Sequence, residues 1–338
     1  MDWIGQDFYT LVKTNYEFLL RKYGQVALFN DLKLWKGTRV YRFKFGDSNL
    51  VLKMEEIDHV KDDVLHEYKI GLQLNELRYI IPNIVPTIAY ITGNPEVRKM
   101  NIPPCHYITK HNVPFIIVGH EPGKTVSDTL TIKQQLEIWV QVYSATYMAY
   151  KKFGFTHYNL HRGNVVIRPL NKFISYPGFH IYSEYLAVII DYGRSYTYEH
   201  GGRIYPSRMV HSECNLHHDI LNYLYSVFRD RYKPLFRELL EVHGYKDISS
   251  NLNYTIGQNR NVKLISPGHL VNYLIDHYQI RIKVNIGPED DVLTASRPEF
   301  HIKGAMFPRL KSVPGLESVF KAEVRKRSRG KEDVLGMW

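Results

Sequence analysis

Cysteine is scarce in this chain: Cys105 and Cys214 are the only two among 338 residues. That excludes a disulfide framework and suits a reducing compartment. Long apolar runs are missing as well, since no stretch approaches the ~18 consecutive apolar residues that span a bilayer. The opening MDWIGQDFYTLVK has no basic start followed by an apolar stretch. The expectation is therefore a protein that is neither secreted nor membrane-spanning. There is no internal repeat and no low-complexity linker, which excludes a repeat array. Acidic residues fall short of basic ones, 34 against 44, leaving a net charge of +10 and a pI near 9.3. Such a balance favours acidic partners: nucleotides, nucleic acid or acidic protein surfaces. Part of the excess lies at the end of the chain, where Arg325, Lys326, Arg327, Arg329 and Lys331 form a basic tail that reads either as a solvated segment or as a nucleic-acid contact.

What is present is enough for a large core, with 44% apolar residues and 13% aromatics. Residues 1–30 carry Trp3, Phe8, Leu11, Val12, Tyr16, Leu19 and Leu20 at roughly helical spacing, which predicts a leading helix. The period then shortens. In VYRFKF, Tyr41, Phe43 and Phe45 fall on one face and Arg42 and Lys44 on the other, a GDSN turn follows, and NLVLKME completes a β-hairpin. DDVLHEYKIGLQLNEL reads as an amphipathic helix with acidic residues at its N-terminus, and CHYITK and PFIIVGH as two further strands. After Gly123 the pattern turns helical, with one long helix ending at Gly154 and two more in HHDILNYLYSVFRDRYKPLFRELLEVHG. Residues 251–320, including NLNYTIGQNRN and GPEDDVLTASRPEF, read as loops and surface.

Two stretches carry chemistry. FTHYNLHRGNVVI holds His157, Asn159 and His161, with Asn164 five residues after Asn159; AVIIDYG ends an apolar strand on Asp191, Tyr192 and Gly193. Together with Lys53 in VLK, they occur in the order and spacing that resemble the protein kinase superfamily over residues 33 to 230, in a divergent form similar to the kinases of large DNA viruses. The resemblance implies an α+β, two-lobe fold: a helical extension over 1–30, a small β-rich lobe over 31–120, a larger helical lobe over 121–320 and a basic tail over 321–338. It implies ATP and Mg²⁺ as cofactors. Lys53 would hold the α- and β-phosphates and pair with Glu67, with Glu56 and Glu76 as the other candidates. Gly37 and Val40 would lie over the nucleotide and Val51 against the adenine, with Val118 as gatekeeper and the backbones of Gly119 and Glu121 bonding the base. Asn164 and Asp191 would ligate Mg²⁺, a hard cation that takes oxygen. His157 would head the catalytic loop, and Asp219 would brace that loop through its backbone N–H groups. By the same resemblance the protein works in the cytoplasm, the nucleus or a virus particle, with a protein substrate or partner.

The sequence departs from the kinase pattern at three places. LWKGTRVYRF offers only Gly37 where three glycines are usual, so the phosphate clamp is weaker or differently shaped. Asn159 stands where the family has an aspartate, and an amide accepts a hydrogen bond without being a useful base. Tyr158 replaces the arginine that in many kinases receives an activation-loop phosphate, so switching by that route is not expected. Three functions follow. The first is an ATP- and Mg²⁺-binding protein in which transfer to Ser/Thr hydroxyls is impaired by Asn159. The second is an active phosphotransferase acting on protein or, given His161, on a small molecule, as in aminoglycoside and choline kinases. The third is a non-catalytic scaffold or virion component. A rival use of His157, His161, His211, Cys214, His217 and His218 is a zinc site.

Overall fold

A computed structural model of the chain describes residues 33–34, 40–45, 48–54, 63–91, 115–202, 213–246, 249, 252–259, 261–283, 285 and 292–293. The leading helix expected over 1–30, Gly37, the CHYITK strand, His211 and the basic tail lie outside them. The smaller lobe is a five-stranded sheet in the order β1-β2-β3-β5-β4, made of Lys33–Leu34, Val40–Phe45, Ser48–Met54, Phe115–Gly119 and Thr87–Ile91. The hairpin read from the sequence is there: β2 and β3 pair from Val40 opposite Lys53 to Phe45 opposite Ser48.

Helix α1, Asp63–Asn75, packs on this sheet at unusually close range. A Cβ on Gly71 would come within 2.0 Å of Thr87 Oγ1, so only glycine lets the helix approach β4 this closely. Asn75 then ties the end of α1 to the same strand: its Nδ2 donates to Thr87 O at 2.6 Å, and Thr87 N donates to its Oδ1 at 3.1 Å. The helix that carries Glu67 is thus fixed by shape and by paired hydrogen bonds.

The larger lobe is built around α2, Ile132–Phe153. Thr131 and Gln134 form a capping box at its start, and Gly154, at φ 64°, ends it where the sequence predicts. Its buried Trp139 stacks on Tyr143 and on Tyr223 of α3, Leu216–Val227. Helix α4, Lys233–Val242, follows with proline in its first turn, as expected.

Two expectations are corrected. Residues 251–280 are not merely loops and surface: they form α5, Leu252–Asn259, and α6, Pro267–Tyr278, which bury Ile256, Leu270, Val271 and Leu274 in the core. Nor is the region after Gly123 chiefly helical throughout. A long hairpin, β7 (Val165–Tyr176) and β8 (Phe179–Ile189), connects the two chemical motifs and turns at Pro177-Gly178, with Gly178 at φ 89°. Short strands β9 (Ile282–Lys283) and β10 (Val292–Leu293) flank it, and β6 (Lys124–Thr125) pairs with its base. A buried polar network seats the hairpin on α2. Gln141 accepts from Ala187 N at 2.9 Å and donates to Tyr185 O at 2.8 Å, while Asn83 donates to Ala187 O at 2.8 Å.

Candidate active site

Strand β3 delivers Lys53 to the sheet face that also carries Val40, Val51 and Val118. Val40 lies opposite Lys53 across β2–β3, and Val51 opposite Val118 across β3–β5. Residues in register share a face, and positions 51 and 53 are two apart on one strand, so all four line one half-buried surface. Lys53 Nζ donates to Glu67 Oε2 of α1 at 2.6 Å and also to Asp191 Oδ1, which arrives from beyond β8. Of the other two candidates, Glu76 is engaged elsewhere, pairing with Lys152 at 2.9 Å, and Glu56 lies outside the described residues.

Opposite charges hold this triad together around one cation. Burial by itself would lower the Lys53 pKa, but the carboxylates of Glu67 and Asp191 outweigh it and raise it, so the ammonium is secure. Lys53 in turn holds the Asp191 carboxyl down to about 2, against the opposing effect of burial. Glu67, with only 6% of its side chain exposed, is pushed up by burial and pulled back by Lys53. Gly193 closes the arrangement from one side, since a Cβ there would lie 3.3 Å from Glu67 Oε2.

The loop from Thr156 to Asn164 is held from beneath by Asp219, which is fully buried in the first turn of α3. Its two carboxylate oxygens accept from His157 N at 2.6 Å and Tyr158 N at 2.8 Å. These charge-assisted bonds stabilise a strained backbone: Tyr158 sits at φ 59°, a left-handed conformation unusual for a bulky residue. Asp191 is at φ 68°, so both ends of the site carry such strain.

The bonding of His157 assigns its tautomer. Nδ1 accepts from Asn159 N at 3.3 Å, so the proton is on Nε2, which donates to Ile190 O at 2.9 Å and ties the loop to the residue before Asp191. His161 turns inward: its Nδ1 accepts from Gly163 N at 3.0 Å and caps the short 3₁₀ turn Arg162–Asn164, which Asn164 ends. Burial and the neighbouring His157 lower the His161 pKa. Asn164 Nδ2 donates to Asn159 O at 2.9 Å, which orients the amide and leaves Oδ1 for a cation. Asp191 Oδ1 is engaged by Lys53, which leaves Oδ2. An amide oxygen and a carboxylate oxygen are what a hard divalent cation takes, so these two residues fit Mg²⁺.

At the strand linking the lobes, the N–H of Gly119 donates to Pro86 O at 2.8 Å, and a Cβ there would meet Pro86 at 2.3 Å. Gly119 therefore has only its carbonyl to offer a base. The Glu121 carboxylate stands 3.7 Å from Arg168 Nε, and burial pushes its pKa up.

Of the residues considered for zinc, His157 and His161 are engaged within the loop, and His217 Nδ1 pairs with Tyr245 OH at 2.9 Å; among the described residues no group of three or more His, Cys, Asp or Glu could hold a metal ion. Sequence reasoning missed His66, next to Glu67, whose Nε2 lies 2.7 Å from Ser195 O; a lone histidine on a helix carries no signal of its own. It also missed Gly71 and Asn75, although a glycine inside an otherwise apolar helix pattern is a pointer to close packing.

A small sheet with one helix, a larger lobe around α2, and a lysine, glutamate, asparagine and aspartate converging between them make this a divergent protein-kinase-like protein with an α+β, two-lobe fold. No protein-family model matches the chain. A curated relative, "Probable kinase 098L" of Invertebrate iridescent virus 3, is 18% identical over 268 residues, which are 72% of this chain and 48% of that protein. The chain thus spans about half the length of the curated relative it matches. Among solved structures it is similar to the Cydia pomonella granulovirus kinase, PK-1, with a TM-score of 0.42 and 12% identity, over 76% of this chain and 97% of that one. Among the described residues, no helix is long and apolar enough to cross a membrane.

Proposed function

We propose that this protein binds Mg²⁺-nucleotide between its lobes and that transfer of the terminal phosphoryl group to a protein Ser/Thr hydroxyl is slowed by Asn159. The observation that carries this reading is the bond of Lys53 to both Glu67 and Asp191, which sets the ammonium beside the valine-lined sheet face. Lys53 would bind the phosphates as a point charge, and Glu67 would hold its ammonium in place. Val40, Val51 and Val118 would enclose the base and exclude water. Asn164 and Asp191 would hold Mg²⁺, which when bound neutralises phosphate charge.

Asn159 lies on the same loop, with its own backbone N–H and C=O engaged by His157 and Asn164. Its amide would orient a substrate hydroxyl but take no proton from it, and positioned bases contribute ~10²–10⁴-fold. Phosphoryl transfer depends mainly on positioning and electrostatics, so the residual rate is low rather than zero. The test is a thermal shift with ATP, with and without Mg²⁺, on the natural chain and on Asn159→Asp, followed by transfer of labelled phosphate. Stabilisation of both proteins, with transfer rising by ~10²–10⁴-fold in Asn159→Asp, is the expected result. A nucleotide that shifts neither protein overturns the reading in favour of a non-catalytic binding module.

A further inference from the structure

We propose that His66 is a positioning residue: its bond to Ser195 latches the segment after Asp191 onto α1 and thereby holds Glu67 in its pair with Lys53. The latch rests on the nucleotide-site reading above for its purpose, but not for its existence. Adjacent residues of α1 grip opposite ends of one five-residue stretch. Glu67 reaches Asp191 through Lys53, and His66 Nε2 lies 2.7 Å from Ser195 O. Between those ends the chain makes a tight turn, with Ser195 N donating to Tyr192 O at 3.0 Å. A rotation of α1 that withdrew Glu67 would carry His66 away from Ser195 as well, because neighbouring helical side chains move together.

A second contact lies two turns along the same helix face, where Gln73 Nε2 donates to Glu199 Oε2 at 3.0 Å. The far side of the segment is secured to the larger lobe. Thr156 and Tyr196 exchange backbone bonds of 3.0 and 2.8 Å, and Tyr198 N donates to Phe153 O at 3.0 Å. No phosphate is needed for any of these. Ser195 and Thr197 are fully buried, with Ser195 Oγ donating to His157 O and Thr197 Oγ1 accepting from His200 N. Tyr158, at the position where the resemblance puts a phosphate-receiving arginine, donates its hydroxyl to Glu213 O at 2.5 Å. The segment is therefore seated by the unmodified chain, and α1 is seated with it.

The experiment compares the unsubstituted 338-residue chain with its His66→Leu and His66→Gln variants. Leucine keeps the bulk and loses the donor, whereas the glutamine amide can still donate to Ser195 O. Backbone hydrogen exchange is read without nucleotide, and the thermal shift with Mg²⁺-ATP is read afterwards. His66→Leu should speed exchange of the Tyr196 and Tyr198 amides and of α1 around Glu67 by roughly tenfold, the effect of one lost hydrogen bond on local opening, and His66→Gln should restore most of the protection. Unchanged exchange in His66→Leu, or a change confined to the segment without α1, overturns the latch. So does a failure of His66→Gln to restore protection while its melting temperature matches the natural protein. If the exchange pattern is as expected and no variant responds to Mg²⁺-ATP, the latch stands and the nucleotide reading fails.

Discussion

Replacing Lys53 with methionine separates the electrostatic role of the triad from its proposed role in binding. The lysine is bonded to two carboxylates, Glu67 and Asp191, whose side chains are 6% and 35% exposed. Removing one partner of a buried pair typically costs ~3–5 kcal/mol. Here the lysine side chain is itself 29% exposed and Asp191 only partly buried, so screening reduces the expected loss to about 2 kcal/mol. The loss has a pH signature. In the natural protein the Asp191 pKa is depressed, so its contribution is complete above the ordinary aspartate value and disappears as pH falls toward about 2. Without Lys53 that contribution is gone, and Glu67, already raised by burial, is raised further until folding takes up a proton there. The penalty relative to the natural protein should therefore be greatest near pH 7.5 and shrink as the pH approaches 4.5. The double variant Lys53→Met, Glu67→Gln removes the stranded charge and should recover more than half of the loss at pH 7.5. Urea denaturation without nucleotide measures all three proteins at both pH values. A penalty independent of pH, or a double variant no more stable than Lys53→Met at pH 7.5, would refute the argument.

Other expected outcomes are as direct. Asp219→Ala leaves two buried loop N–H groups without an acceptor while Tyr158 stays strained, so stability should fall by about 3 kcal/mol in denaturant. Gly71→Ala drives a methyl into Thr87; a loss of about 1–3 kcal/mol and a weakened Mg²⁺-ATP response should follow, and a neutral result would mean that α1 is free to shift. His243 is buried among Trp139, Tyr143 and Tyr245, its Nε2 has no hydrogen-bond partner among the described residues, and desolvation pushes its pKa down to about 3. The unfolded chain binds that proton first, so stability should fall below pH 6.5 by ~1.4 kcal/mol per unit, and His243→Gln should flatten the slope in pH-dependent melting.

Much of this site is written in local patterns. Period-two alternation marks the Lys53 hairpin, and the spacing of Asn159, Asn164 and the Asp191-Tyr192-Gly193 run marks the loop and the strand end. Capping residues mark α2 within a residue of its ends. The long β7–β8 hairpin was equally legible in principle, through apolar alternation on either side of Pro177-Gly178, but it was hidden by the helical character of its neighbours. Helices α5 and α6 left weaker traces, because short segments rich in Asn, Tyr and His form helices only when a core rewards them.

The sequence by itself determined the Lys53 hairpin, α1 and α2 and which chemical groups the chain owns, including a lysine, a glutamate, an asparagine and an aspartate in kinase-like order and the one missing carboxylate at Asn159. Only the tertiary structure decided how those groups meet. Lys53 and Asp191 are 138 residues apart and His66 and Ser195 are 129 apart, so no local rule relates them. Their bonds depend on the glycine-close packing of α1 on β4, on Asp219 holding a strained loop, and on the hairpin that returns the chain to the cleft. Side-chain contacts at such separations are set by the packing of whole elements, and a pattern with a period of two or 3.6 residues carries no information about it.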